Sequence, residues 1–130
     1  MLFSLLLITL MSVVAAKMSA LGAYSDPNHP DCGRFIWPNE DGTAITEGMD
    51  NINGEGFSCK DIRPPTLVSW GPLPTLINGT AVIIDFSSKG GPSNLHGDWK
   101  QGTNKDGTNF SGIQWEDGNY WTQVQPDSKD

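Results

Sequence analysis

The sequence predicts an all-β fold: a compact antiparallel β-sandwich or a partly open barrel of short strands, with a disulfide-tied, loop-rich N-terminal part. Glycine or proline interrupts every stretch whose apolar residues could follow a helical period, and the 130 residues include 15 glycines and 9 prolines. Short β-prone segments between turn residues recur instead. The two cysteines provide a cross-link for a small domain.

The first segment has the profile of a signal peptide. Residues 1–16 are almost wholly apolar and end in small residues before Lys17. The stretch is shorter than the roughly 20 residues that span a bilayer, and no second such stretch follows, so no membrane span is expected in the mature chain. Cleavage fits either after Ala16 or after Gly22, so the mature chain starts as late as residue 23 in the second case. The predicted location is extracellular, or the lumen of a secretory-type compartment.

Beyond the signal, the chain is predicted to form one β domain at residues 24–124, followed by a polar tail at 125–130. In an oxidising compartment Cys32 and Cys59 are expected to form a disulfide, which is worth about 3 kcal/mol in the chain-entropy model. Breaker residues crowd the part between residues 24 and 65, which is predicted to consist of long loops and short strands.

The charge of the chain excludes two classes of partner. Eight basic residues face 15 acidic ones, the net charge is −7, and the basic residues form no cluster. Nucleic acids and anionic membrane surfaces are bound by clustered Lys and Arg, which replace counterions. Neither partner is therefore expected.

Eight β-prone segments can be placed by residue type and by the turn residues between them. The predicted strands are residues 34–37, 43–46, 67–70, 75–77, 80–86, 95–100, 110–115 and 119–124.

The first hairpin is predicted at Asn78-Gly79, because this pair tolerates the left-handed conformation of a two-residue type I′ loop. In that register Ile77 pairs with Thr80. The strand that follows is apolar on both faces, which indicates a central position. Its core face carries Val82, Ile84 and Phe86.

The second hairpin is predicted at Asp117-Gly118, also as a two-residue loop. Trp115 would then pair with Tyr120, and Gln114 would lie opposite Trp121. One face would carry Ile113, Trp115, Tyr120, Thr122 and Val124, which reads as core. The opposite face would carry Gln114, Glu116, Asn119, Trp121 and Gln123.

This register leaves Trp121 among polar side chains, on the opposite face from Trp115. An exposed indole beside amides is suited to stacking on a sugar ring while the amides hydrogen-bond its hydroxyls. The alternative is that the aromatic rings simply fill a small core. The predicted ligand-binding residues are Trp121, Tyr120, Asn119, Gln114 and Gln123.

Catalytic chemistry has no support in the motifs, and no catalytic residue is predicted. A Ser-His-Asp arrangement would need His29 or His96, and neither lies in a nucleophile motif. Glu116 and Asp117 are adjacent carboxylates that turn formation explains.

No metal site or cofactor is predicted either. Asp26, His29 and Asp31 are close in sequence, but the prolines around them account for the segment. A second acidic and amide-rich stretch, at residues 104–109, departs from the EF-hand pattern. Two N-glycosylation acceptors, Asn78 and Asn109, fit a secreted chain and lie at or near predicted turns.

Four segments of the chain resemble small secreted or lumen-targeted algal proteins of unassigned function. They read SDPNHPDC at 25–32, WGPLP at 70–74, IDFSSKGGP at 84–92 and WEDGNYWT at 115–122. The resemblance implies no activity and no catalytic residues. Gly97-Asp98-Trp99 is also similar to the Gly-x-Trp of lipocalin and avidin-like barrels, but fewer strands follow it than that barrel would require.

The sequence thus favours a secreted binding or matrix module over an enzyme, with carbohydrate or an extracellular protein as the partner. The second hypothesis is an enzyme inhibitor or accessory subunit that uses the disulfide-tied loops of residues 24–65. A hydrolase is third, and would need a cleft that joins His96 to a carboxylate and a serine.

Overall fold

The computed structural model describes residues 19–60 and 67–124 of the chain. The predicted signal peptide at 1–16 and the polar tail at 125–130 lie outside the described residues. Eight strands occur in the order β1 (Gly22–Asp26), β2 (His29–Pro38), β3 (Ala44–Asn51), β4 (Leu67–Asn78), β5 (Ala81–Ile84), β6 (Leu95–Thr103), β7 (Asn109–Trp115) and β8 (Tyr120–Gln123). A single 3-10 turn at Ser87–Lys89 lies between β5 and β6.

The strands form one closed barrel in which each strand pairs antiparallel with its neighbours in sequence. β8 returns to β1 through the pairs Tyr24↔Gln123 and Ser25↔Thr122. The all-β prediction is confirmed, and the arrangement is a fully closed barrel, neither a sandwich nor partly open. Closure gives each of the eight described strands two partners, so none of these strands is an edge strand.

The N-terminal part contains more regular structure than predicted. β1 was not predicted, and β2 and β3 extend over ten and eight residues. The prediction of long loops and short strands at residues 24–65 was therefore wrong for most of its described residues. The disulfide is confirmed, because Cys32 and Cys59 are bonded with Cα atoms 5.1 Å apart. It joins β2 to the segment that follows β3.

β4 also runs further than the sequence indicated. Its twelve residues join the two strands predicted at 67–70 and 75–77 through a stretch that contains Gly71, Pro72 and Pro74. The pairing of β3 with β4 shifts register between Thr46 and Gly48, and this bulge accommodates the irregular stretch.

The hairpin between β4 and β5 lies where it was predicted, in a different register. Asn78 pairs with Ala81 and Ile77 with Val82, so Gly79 and Thr80 form the loop. Gly79 has a φ of 61°, which suits the first position of a type II′ loop. The predicted register differs by two residues, and an even shift keeps each side chain on its face. Val82 and Ile84 are buried as predicted, and Phe86 is half-buried.

The hairpin between β7 and β8 differs from the prediction by one residue, so the two faces of β8 are exchanged, whereas Ile113 and Trp115 on β7 are buried as predicted. Ile113 pairs with Trp121 and Gln114 with Tyr120. The backbone N–H of Trp115 donates to Asn119, which leaves a three-residue loop ending at Gly118 with a φ of 93°. Trp121 therefore faces the interior together with Ile113 and Trp115. The predicted core positions Thr122 and Val124 are exposed.

The Gly-x-Trp segment lies on the sixth strand of the barrel. Two strands follow it, as the sequence indicated, but the chain still completes eight strands because five precede β6. Trp99 faces the core. An eight-stranded barrel has an interior wide enough to be filled by side chains or to hold one small ligand.

The chain before β1 covers one end of the barrel. Ala20 is fully buried, and its carbonyl oxygen accepts a hydrogen bond from the Tyr24 hydroxyl. Gln123 donates from Nε2 to the carbonyl oxygens of Ser19 (2.7 Å) and Leu21 (3.1 Å), and accepts from the indole N–H of Trp99. These contacts close the end where β2 meets β3 and β6 meets β7.

Candidate ligand-binding cavity

The opposite end of the barrel holds a cavity of about 550 Å³, which we call the mouth cavity. It lies where β1 turns into β2, β5 connects to β6, and β7 turns into β8. The connection after β3 contributes Glu55, and the connection after β5 contributes Lys89 and Pro92. The volume is within the range of about 300–1,000 Å³ that small-molecule sites occupy.

Four aromatic side chains line the mouth cavity: Trp70, Phe86, Trp115 and Trp121. Trp115 and Trp121 meet edge to face with ring centroids 4.9 Å apart, and Phe86 lies perpendicular to Trp121 at 6.4 Å. Trp70 is 6.2 Å from Phe86. Edge-to-face contacts of this kind fix ring orientation as well as burying apolar area. One side of the cavity is therefore an aromatic, apolar wall.

Gly48 makes room for Trp70 in this wall. Arg34, Gly48 and Trp70 lie in one row across β2, β3 and β4. A Cβ atom at Gly48 would lie 2.5 Å from Cζ2 of Trp70 and 2.7 Å from the carbonyl oxygen of Gly33. Because no side chain fits there, the Trp70 ring reaches over β3 toward Arg34.

Arg34 is the central polar group of the cavity, although its side chain is only 2% exposed. Its guanidinium donates to Asp50 Oδ1 and to the Met49 carbonyl oxygen, both at 2.7 Å, and lies 3.3 Å from Asp26 Oδ2. Its carbon Cζ lies 5.2 Å from the ring centroid of Trp70 and 5.9 Å from that of Trp121. Two carboxylates and two indole rings thus hold one buried cation.

Asp26 is held by four donors. Its Oδ1 accepts from the backbone N–H of Asn28 at 2.9 Å and from Asn119 Nδ2 at 3.0 Å, and Oδ2 lies 3.2 Å from His29 Nδ1 and near Arg34. Burial opposes ionisation of this carboxyl. The hydrogen bonds from Asn119 and Asn28 and the charge of Arg34 outweigh burial, so the pKa of Asp26 is lowered.

Asp50 links Arg34 to Lys89. Its Oδ2 accepts from Lys89 Nζ, and the same ammonium lies 5.1 Å from the ring centroid of Trp70. Burial opposes ionisation here too, but the hydrogen bond from Lys89 and the charge of Arg34 prevail, so the pKa of Asp50 is lowered. The pair connects β3 to the β5–β6 connection across the cavity.

The predicted ligand-binding residues separate into two groups. Trp121 and Asn119 line the mouth cavity. Gln114 donates to the carbonyl oxygens of Trp115 and Asn119, and Gln123 lies at the opposite end of the barrel. Tyr120 is half-buried and is not part of the cavity lining. Their role in binding stays a prediction.

The expectation that Trp121 is exposed on an outer polar face was wrong. Its side chain is 4% exposed because the three-residue loop turns it inward. Sequence reasoning missed Arg34, Asp50, Trp70 and Lys89 as site residues. Arg34 did carry a signal, since it alternates with Cys32 and Ile36, both of which are buried. A charged residue at an inward position of a strand indicates a paired, buried charge.

The remaining candidates from the sequence are a metal site, His96 and the two glycosylation acceptors. Among the described residues, no three His, Cys, Asp or Glu side chains come together in a way that could hold a metal ion. His96 is exposed on β6 and does not belong to the cavity lining. Asn78 and Asn109, the glycosylation acceptors, are exposed.

None of the described residues forms a helix with the length and hydrophobicity needed to cross a bilayer. Comparison with protein-family models, curated proteins and solved structures finds no match for this chain. The fold and the cavity define it as an eight-stranded up-and-down barrel with a lined cavity at one mouth.

Proposed function

We propose that the protein is a secreted binding module that holds a small ligand in the mouth cavity. The observation that carries the proposal is the composition of the cavity, in which indole rings and a buried Arg34–carboxylate network face the same space. Ligand sites combine an apolar wall with a few fixed polar groups in this way, and barrel mouths are a common place for them.

Secretion is part of the proposal. The signal-like residues 1–16, the sequons at Asn78 and Asn109 and the bond between Cys32 and Cys59 support it. Disulfides of this kind persist in oxidising compartments and are rare in the cytosol.

Carbohydrate, the ligand class expected from the sequence, is one candidate for the cavity. Sugar rings stack on indole faces, and Trp70 and Trp121 supply such rings beside charged groups that hydrogen-bond hydroxyls. The role of inhibitor or accessory subunit has less support, because most described residues of the segment that it would use are strands of the barrel.

The proposal is tested by a calorimetric screen of the mature protein against monosaccharides, oligosaccharides and small neutral and anionic ring compounds. Binding with a stoichiometry of one is expected for at least one class. A Trp70→Phe variant should weaken that binding, because it changes a half-buried ring of the cavity wall.

The matched control is Trp37→Phe. Trp37 is 43% exposed, and its indole N–H donates to Glu47 away from the cavity. This variant should bind like the wild type. If Trp37→Phe weakens binding and Trp70→Phe does not, the ligand is held on the outer wall and the proposal is wrong.

A further inference from the structure

Three residues that line the mouth cavity each carry a buried N–H group that has no acceptor among the described residues. Among the described residues, four buried side-chain nitrogen or oxygen atoms lack a hydrogen-bond partner: Arg34 Nε, Trp70 Nε1, Trp115 Nε1 and the Tyr120 hydroxyl. The first three belong to residues that line the cavity. Leaving a buried donor unpaired costs about 1–3 kcal/mol, so each of the three N–H groups would gain from an acceptor that a ligand supplied.

The two carboxylates that contact Arg34 are already engaged. Asp26 has four donors around its two oxygens, and Asp50 is bound by Arg34 on one oxygen and by Lys89 on the other. The residues around Arg34 therefore have N–H groups to offer, whereas the oxygens of Asp26 and Asp50 already have partners. A ligand whose inner end carried only donors would leave the three N–H groups unpaired.

The two cationic side chains, Arg34 and Lys89, are paired as well. Arg34 and Lys89 are matched by Asp26 and Asp50. The remaining acidic groups of the lining, Glu55 and Asp117, are exposed at the rim. An anionic ligand would meet no unpaired cation inside and two carboxylates at the entrance, which disfavours it.

We infer that the mouth cavity selects a neutral ring compound whose inner end carries acceptor oxygens, and this inference rests on the proposed function. The ring packs against the aromatic wall, and the oxygens accept from Arg34 Nε, Trp70 Nε1 and Trp115 Nε1. Neighbouring side chains cover these nitrogens, so entry requires a small rotation of Trp70 and Phe86, both half-buried at the mouth.

Two sources supply this chemistry: a sugar, through its ring and hydroxyl oxygens, and a cyclic carbonyl compound. The test distinguishes them with methyl glucoside and coumarin, both neutral. Naphthalene is a control of the same size as coumarin that has no hydrogen-bond acceptor. The second control, 2-naphthoate, carries a negatively charged acceptor. The readout is the indole N–H region of a ¹H–¹⁵N NMR titration of the full mature protein.

The protein contains internal controls for this spectrum. The indole N–H of Trp37 donates to Glu47 at 2.9 Å and that of Trp99 to Gln123 at 3.3 Å, so neither signal should move. The signals of Trp70 and Trp115 should shift downfield with coumarin or methyl glucoside. The favoured compound should bind at least about tenfold more tightly than naphthalene and 2-naphthoate. Trp70→Phe should reduce that preference.

The outcomes separate this inference from the proposed function. If naphthalene moves the cavity indole signals and binds as tightly as the oxygen-bearing compounds, acceptor recognition is wrong and cavity binding stands. If 2-naphthoate binds most tightly, the neutral character is wrong. If no compound moves the signals of Trp70, Trp115 or Trp121, both the inference and the proposed function fail.

Discussion

The indole ring of Trp121 meets that of Trp115 edge to face, with centroids 4.9 Å apart and ring planes at 73°. Both side chains are buried, and both line the mouth cavity. Each ring therefore has two roles: it packs in the core, and it forms part of the wall on which a ligand would lie.

Truncation of either ring should destabilise the barrel. Trp121→Ala and Trp115→Ala should each lower the free energy of unfolding by about 3–5 kcal/mol, since each removes a buried ring and leaves a cavity. Urea denaturation followed by far-UV circular dichroism measures the change. The exposed Trp37→Ala should cost much less. A Trp121→Ala variant as stable as Trp37→Ala would contradict the inward position of Trp121.

The two hairpins show which part of the fold could be predicted from the sequence. Both were placed correctly along the chain, because Asn-Gly and Asp-Gly are strong turn signals. At Asn78 the error of two residues left the faces intact, whereas at Asp117 an error of one residue exchanged the two faces of β8. Loop length decides between these cases, and Asp-Gly fits both a two-residue loop and the end of a three-residue loop.

Acid should weaken the fold through Asp26 and Asp50. Their pKa values are lowered in the folded state, so their stabilising contribution is complete above the unfolded value of about 3.9 and is lost as the pH falls through the folded values. The free energy of unfolding should therefore decrease below about pH 4. Asp50→Asn should be less stable than the wild type at pH 7, and this difference should shrink on acidification. A difference that stays constant to pH 2 would contradict the account.

The contacts of residues 19–21 favour cleavage of the proposed signal peptide after Ala16 over cleavage after Gly22. Ala20 is fully buried and is tied to Tyr24, and Gln123 holds its neighbours. A chain that begins at Lys17 should therefore be more stable than one that begins at Ala23, as thermal unfolding will show. Tyr24→Phe in the longer chain should cost about 0.5–1.5 kcal/mol by loss of one hydrogen bond. Equal melting temperatures for the two chains would show that the segment contributes nothing.

Removal of the disulfide should lower stability without opening the barrel. The bond closes a loop of 27 residues in sequence separation, which corresponds to about 3 kcal/mol in the chain-entropy model. The Cys32→Ser, Cys59→Ser double variant should retain the β spectrum and melt at a lower temperature. Loss of the β spectrum at 25 °C would mean that the bond is required for folding.

The polar centre of the cavity could not be predicted from the sequence. Asp26, Arg34 and Asp50 lie on three different strands and meet only because the barrel folds them into one end. Lys89 reaches them from a connection 39 residues beyond Asp50. Strand periodicity identifies which side chain points inward, but the partner of a buried charge depends on strand register and closure.

The location of a bound ligand tests the central claim most directly. We expect a crystal structure of the complex with the tightest compound of the screen to show one molecule in the mouth cavity. Its ring should contact Trp70 or Trp121, and an oxygen should lie within about 3.2 Å of Arg34 Nε or an indole N–H. A ligand found instead on the outer wall beside Phe35 and Trp37, with the mouth cavity filled by protein side chains, would contradict the account.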